Sequence, residues 1–326
     1  MRSAAALVCF ACLGVPVLCA ALRPGDPEVR RITDGVADTV VTTTYRADDD
    51  GRPGRTVVLV PGLLGSAFTF RKVAPALSEA GHDAVVIEPL GMGASARPRD
   101  ADYSLGGQAE RLGRALDSLG ISNATFVCHS VGASICLRLA LQRPALVAGV
   151  ISLNGGPDEA AATGGLRTAL KLSPVIKLLG AERIMKNKVK DGLVESAADP
   201  SWVTADVIAG YTKPFTSVDA VLTGFRGMVN AQERLPLRPR LSEIRAPVTL
   251  LVGAGKPGQV KTTDLAVMVE SLPRLVVDSV PDAGQYIQEE NPGAVVRAVE
   301  AQLRISQPAT KPARPSPSTT RVQPLR

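Results

Sequence analysis

Short runs of consecutive apolar residues alternate along this chain with longer segments in which apolar positions return every three or four residues. The runs TVVLVPG (56–62), DAVVIEP (83–89), ATFVCHS (124–130), LVAGVISLN (146–154), APVTLLVG (246–253) and RLVVDSV (274–280) read as buried strands. Helical spacing falls between and after them, over Phe68 to Glu79, Ser104 to Leu119, Val131 to Gln142, Thr262 to Ser271 and Pro292 to Leu303. Apolar strands without polar alternation must be covered on both faces, and regular strand–helix alternation is how a parallel sheet is built. The pattern therefore predicts one α/β domain over 56–156 and 241–305, with a mostly parallel central sheet and helices on both faces.

The rhythm breaks between about 157 and 240. Helix-like segments there, such as Thr168 to Leu179 and Val203 to Tyr211, are punctuated by Pro174, Pro200, Pro214 and Pro236. An insertion at the carboxyl ends of sheet strands lies over the crevice where such folds take ligands, so 157–240 is expected to be a helical cap. Ahead of the domain, 22–55 is polar and turn-rich, with one strand or hairpin expected between Val36 and Tyr45.

The two ends of the chain differ from its body. Arg2, an apolar stretch from Ala4 to Leu18, and small residues at Cys19, Ala20 and Ala21 read as an export signal over 1–21, with an uncleaved N-terminal membrane anchor as the alternative. Residues 306–326, rich in Pro, Ser and Thr, carry Lys311, Arg314, Arg321 and Arg326 and no acid. They are expected to be disordered, and association of this basic tail with an anionic cell envelope is a further expectation. Setting aside those four cations and Arg2 leaves 32 basic against 31 acidic residues, so the net charge of +6 implies no nucleic-acid-binding face. Three of the five cysteines, Cys9, Cys12 and Cys19, fall in the leader. Cys128 and Cys136, eight apart on a strand and the following helix, are expected as two buried thiols. Two histidines and two remaining cysteines meet no metal-ligand spacing, and no cofactor is expected.

The chemistry concentrates at three strand ends. Cys128-His129-Ser130-Val131-Gly132 joins a strand to a helix through a serine, a sharp turn that lifts the serine oxygen and aims the next N–H at any oxyanion formed there. Val60-Pro61-Gly62-Leu63-Leu64-Gly65-Ser66 has glycines that let backbone approach a substrate, and Glu88-Pro89-Leu90-Gly91-Met92-Gly93-Ala94-Ser95 is a second glycine loop. In this order and spacing the three segments resemble the α/β-hydrolase superfamily of serine esterases and lipases from about Val57 to Leu303. The resemblance implies a nucleophile at Ser130, an oxyanion hole from the N–H groups of Leu63 and Val131, and a pocket near Met92 and His129.

Two departures bear on activity. The family's catalytic histidine position holds Gln285 in Pro281-Asp282-Ala283-Gly284-Gln285-Tyr286, and its acid position holds Lys256 in Val252-Gly253-Ala254-Gly255-Lys256-Pro257. Glutamine cannot take and return a proton near neutral pH. Of the two histidines, His129 is read as a core group turned away from the serine oxygen, and His82 as a surface turn residue at the far end of the sheet. The resemblance thus implies an exported, catalytically impaired protein that binds a small apolar or ester/acyl ligand. The alternative is an active ester or acyl hydrolase whose base is Lys256, lowered in pKa by burial, or Asp282. Leu63, Phe68, Met92, Trp202, Tyr211 and Phe215 are candidates for lining the pocket and, equally, for cap or core packing.

Overall fold

In the computed structural model the described residues are 26–33, 38–47, 55–161, 181–215, 217–256 and 259–305. The expected leader, the tail and the helix at Thr168 to Leu179 lie outside them.

The described residues form an eight-stranded sheet in the order β1-β2-β4-β3-β5-β6-β7-β8. The strands are β1 (Glu28–Thr33), β2 (Thr39–Tyr45), β3 (Thr56–Val60), β4 (Asp83–Glu88), β5 (Ala124–His129), β6 (Val147–Leu153), β7 (Val248–Gly253) and β8 (Leu275–Val280). From β4 to β8 across the sheet all pairings are parallel, while β1 and β2 form an antiparallel hairpin whose second strand runs antiparallel to β4. The hairpin begins earlier than the sequence suggested: β1 is mostly exposed and charged, so it carries no apolar run.

Period-two geometry explains why the central strands are apolar throughout. Val58 and Val60 of β3 and Phe126 and Cys128 of β5 face one hydrophobic layer, while Val57, Leu59 and Val127 face the other. The first layer is closed by α2 (Leu105–Leu119), α3 (Val131–Gln142) and α7 (Thr262–Ser271), the second by α1 (Val73–Glu79) and α9 (Pro292–Ile305). Local signals set the helix ends. Ser104 caps α2 by accepting the Gly107 N–H at 3.0 Å, and Gly120, at φ +67°, stops it in the left-handed conformation that glycine adopts without strain. The helix expected from Phe68 to Glu79 is instead a 3₁₀ turn over Ala67–Phe70, capped by Ser66, followed by α1.

The insertion contains α4 (Ala181–Ser196), α5 (Ala205–Thr212) and α6 (Val218–Asn230). Val189, Leu193, Val207 and Tyr211 make a small core of their own that packs against Phe68 and Tyr286 of the main domain. The chain leaves and re-enters the sheet domain beside one ionic network. Glu159 accepts the Leu237 and Arg238 N–H groups at 2.8 and 2.9 Å and pairs with the buried Arg138 of α3 at 2.7 Å, and Arg238 pairs with Asp264 of α7. Both crossings are thereby anchored to the layer beneath.

One expectation is corrected here. Cys128 and Cys136 are joined in a disulfide, with Cα atoms 6.7 Å apart. A spacing of eight across a strand and a helix does not by itself bring two sulfurs together. After the turn at Ser130 the helix runs back along β5, so its second turn faces the strand that precedes it.

Candidate functional site

The chain runs from β3 to β4 on one side and from β5 to β6 on the other, so sheet order reverses between β3 and β5. Ligand crevices of open α/β sheets form at the carboxyl ends of strands at such a reversal. The loop 61–66 and the Ser130 turn both lie there.

Ser130 stands between β5 and α3 at φ +50° and ψ −123°, a conformation a side chain enters only under strain. Its N–H donates to Leu153 O at 3.0 Å and its carbonyl accepts from Ala133 N at 2.9 Å, so the strained turn is held from both sides. Two glycines make room for it. A Cβ on Gly62 would fall 2.9 Å from His129 Nδ1 and 3.1 Å from Ser130 Cβ, and one on Gly132 would fall 2.7 Å from Val60 O. The loop 61–66 is shaped by a Gly65 N–H to Gly62 O bond of 2.9 Å and by Leu64 at φ +66°. Among the described residues, neither the Leu63 nor the Val131 N–H is taken by a protein acceptor.

Gln285 and Lys256, which the resemblance sets at the base and acid positions, both contact the end of α4. The main-chain N–H of Gln285 donates to Ser196 O at 2.9 Å, and its carbonyl accepts from His129 Nε2 at 3.0 Å and Asn154 Nδ2 at 3.2 Å. Lys256 directs Nζ to the carbonyl of Glu195. Residues 195 and 196 end α4, where the last carbonyls have no partner within the helix and carry its negative partial charge, so a lysine suits this place better than an aspartate. Asp282 is exposed, with no bond towards Ser130.

His129 is buried. Loss of hydration pushes its imidazole down to about 4, against a partial opposing effect of its bond to Gln285 O, so the ring is neutral at pH 7. It packs at 5.3 Å between centroids against Tyr286, which also meets Trp202 at 5.7 Å and Tyr211 at 6.1 Å. Burial, with the nearby Glu289 charge second, raises the Tyr286 phenol to about 12. His82, expected at the surface, is partly buried and places Nε2 2.8 Å from Glu300 Oε1 of α9.

Three residues of this site were not singled out from the sequence. Asn154, at φ +50° after β6, donates Nδ2 to Gly284 O at 2.8 Å and accepts the Gly253 N–H at 2.9 Å, tying three strand-end loops together. Glu290 accepts the N–H groups of Gly284 at 2.7 Å and Ala198 at 2.6 Å, fixing the Gln285 loop to the cap. Glu289, fully buried in α8 (Ile287–Glu290), pairs with Arg71 and Lys72 and accepts the Tyr211 hydroxyl at 2.9 Å. Two adjacent carboxylates three and four residues after Tyr286 were the available signal.

A cavity of about 60 Å³ lies between cap and sheet, walled by Leu63, Thr69, His129, Val189, Tyr211 and Tyr286 among others. Ser130 is not part of its wall. Of the other candidates, Phe68, Trp202 and Phe215 pack against the cap core, and Met92 is buried in the main core.

Residues 55–171 match the α/β hydrolase fold family. The chain is 28% identical over 244 residues to the uncharacterized hydrolase YugF of Bacillus subtilis, covering 74% of this chain and 87% of that one. It is 30% identical over 232 residues to the magnesium-chelatase 30 kDa subunit of Rhodobacter capsulatus, covering 68% and 76%. Among solved structures, the haloalkane dehalogenase DbeA from Bradyrhizobium elkani USDA94 superposes with a TM-score of 0.67 over 86% of this chain and 99% of that one, at 21% identity, a likeness of fold alone. The chain belongs to the α/β-hydrolase superfamily, and hydrolases are among its relatives.

Proposed function

We infer that this is an exported α/β-hydrolase-fold protein that holds a small apolar or acyl ligand under its cap and does not turn it over at an enzyme's rate. The observation that carries the reading is the use made of the two proton-transfer positions. Gln285 offers no base, and Lys256 is engaged with the end of α4 instead of facing the serine. His129 does not replace the base: its Nε2 is committed to Gln285 O, and its lowered pKa makes it a poor proton acceptor at pH 7.

What remains suits recognition of a carbonyl. The Leu63 and Val131 N–H groups without protein acceptors and the raised Ser130 hydroxyl are donors to a ligand oxygen, and the aromatic wall around Tyr286 suits an apolar body. A cavity of about 60 Å³ is well below the roughly 300–1,000 Å³ of small-molecule sites, so α4 must lift to admit a ligand. Export is supported by the disulfide, since such bonds persist in oxidising compartments.

Hydrolysis of short- and medium-chain p-nitrophenyl esters, measured beside Ser130→Ala, tests the reading. Equal, near-background rates are expected. Turnover lost in Ser130→Ala would identify a working serine hydrolase and overturn it.

A further inference from the structure

The two edges of the sheet are built differently. β1 carries Glu28, Arg30 and Arg31, and charge on an edge discourages pairing with another chain. β8 has Val276 and Val277 at its centre, 52% and 44% exposed, and Val269 on the preceding helix α7 is 60% exposed. β8 pairs with β7 on one side and with no strand on the other among the described residues. An open edge with apolar side chains on both faces is a template for strand addition.

The hydrogen-bonding groups of that edge can be assigned. Successive residues of a strand turn their N–H and C=O to opposite sides. Arg274 O accepts from Val248 N, and Val280 O from Ala254 N, each at 2.9 Å, so residues 274, 276, 278 and 280 face β7. Leu275, Val277 and Ser279 therefore face outward. The Ser279 N–H is already held by Asp278 Oδ1 at 2.8 Å, which leaves Leu275 and Val277 as the free donors.

We propose that β8 pairs antiparallel with β8 of a second copy of this chain, about a two-fold axis through Val276, making one continuous sheet across the dimer. In this register Leu275 lies opposite Val277 of the other copy, and both free donors are used, twice over by symmetry. Arg274 lies opposite Asp278 in a non-hydrogen-bonded pair, the position where facing side chains come closest, and two such ion pairs flank the central valines. Arg274 and Asp278 are both exposed.

Neighbouring registers fail on the same residues. An axis through Val277 would require the Ser279 N–H that Asp278 holds and would set Asp278 against Val276. An axis through Leu275 would set Val277 against Pro273, which has no N–H to give. A two-fold arrangement of one self-complementary patch is also the commonest way soluble chains associate.

Sedimentation velocity of the whole chain over a concentration series, with hydrogen exchange at Leu275 and Val277, tests the proposal. A reversible dimer is expected, with both amides protected in the dimer and exchanging in the dilute monomer. Val276→Lys, which sets two like charges together on the axis, should leave only monomer, with unchanged far-UV circular dichroism. Arg274→Glu and Asp278→Arg should each weaken the dimer by about tenfold, and the two together should restore it. A monomer at every concentration up to about 100 μM would overturn the proposal. So would a dimer indifferent to all these substitutions. Protection of Val277 in the dilute monomer would also overturn it, because the edge would then be covered by the chain's own residues.

Discussion

Lys256 and Glu195 are joined beside the Gln285 loop: the ammonium of Lys256 is bonded to the Glu195 carbonyl, and the next carbonyl along, that of Ser196, accepts the N–H of Gln285. The two loops that would carry acid and base thus hold the end of α4. The two contacts differ in kind. Any residue but proline at 285 can donate its main-chain N–H, whereas the contact at 256 needs a long side chain that ends in a donor.

That difference predicts the outcome of placing a histidine at 285 and an aspartate at 256. In Gln285→His/Lys256→Asp, p-nitrophenyl ester hydrolysis should rise by at least about 100-fold over the parent and vanish on adding Ser130→Ala. The same variant should be less stable, because an aspartate at 256 faces carbonyl oxygens at the negative end of a helix. Steady-state kinetics and urea unfolding measure the two effects.

Lys256→Met removes the side-chain contact while keeping the length of the side chain. A charge-assisted bond to a helix terminus contributes about 1 kcal/mol, so the loss should be modest globally and concentrated locally. Faster hydrogen exchange in the last turn of α4, with the sheet unaffected, is the expected pattern.

The Cys128–Cys136 bond closes a nine-residue ring around Ser130. Chain-entropy reasoning gives a ring of that size about 2.5 kcal/mol of stabilisation. Cys128→Ala/Cys136→Ala should lower the urea midpoint accordingly. Alkylation of the unfolded parent protein should find both thiols only after reduction.

His129 makes stability depend on pH with a definite sign. Its folded pKa of about 4 lies below the ordinary value of 6.5, so the unfolded chain binds the proton more readily. The stability associated with the neutral ring is complete above about pH 6.5 and is lost as pH falls through about 4, by about 3 kcal/mol in all. Glu88 and Asp158, both raised chiefly by burial, act in the opposite direction as they protonate. The comparison is therefore with His129→Gln, whose unfolding free energy should fall less between pH 6.5 and 4 than that of the parent.

The sheet was legible in the sequence because its central strands bury both faces, leaving runs such as the one before Ser130 with no polar interruption. The serine turn and the glycine loop at 61–66 were legible for a different reason: each is a local pattern with fixed spacing. The disulfide was not, because recognising it requires knowing that α3 doubles back on β5. Nor was α4, whose sequence AERIMKNKVKDGLVES presents only a narrow apolar stripe to the cap core. Asn154, Glu289 and Glu290 work through loop backbone and partners far away in sequence, and no periodicity announces such bonds.

The turn at Ser130 also bears on how this protein could change over time. A side chain at φ +50° and ψ −123° costs the fold about 1–3 kcal/mol that glycine would largely avoid. That cost does not depend on a base or an acid nearby, since the strain belongs to the backbone between β5 and α3. Relief is one substitution away: a glycine at 130 would stabilise the chain and discard its hydroxyl. The serine thus keeps its hydroxyl at a cost of about 1–3 kcal/mol, which a bond from that hydroxyl to a ligand would have to offset.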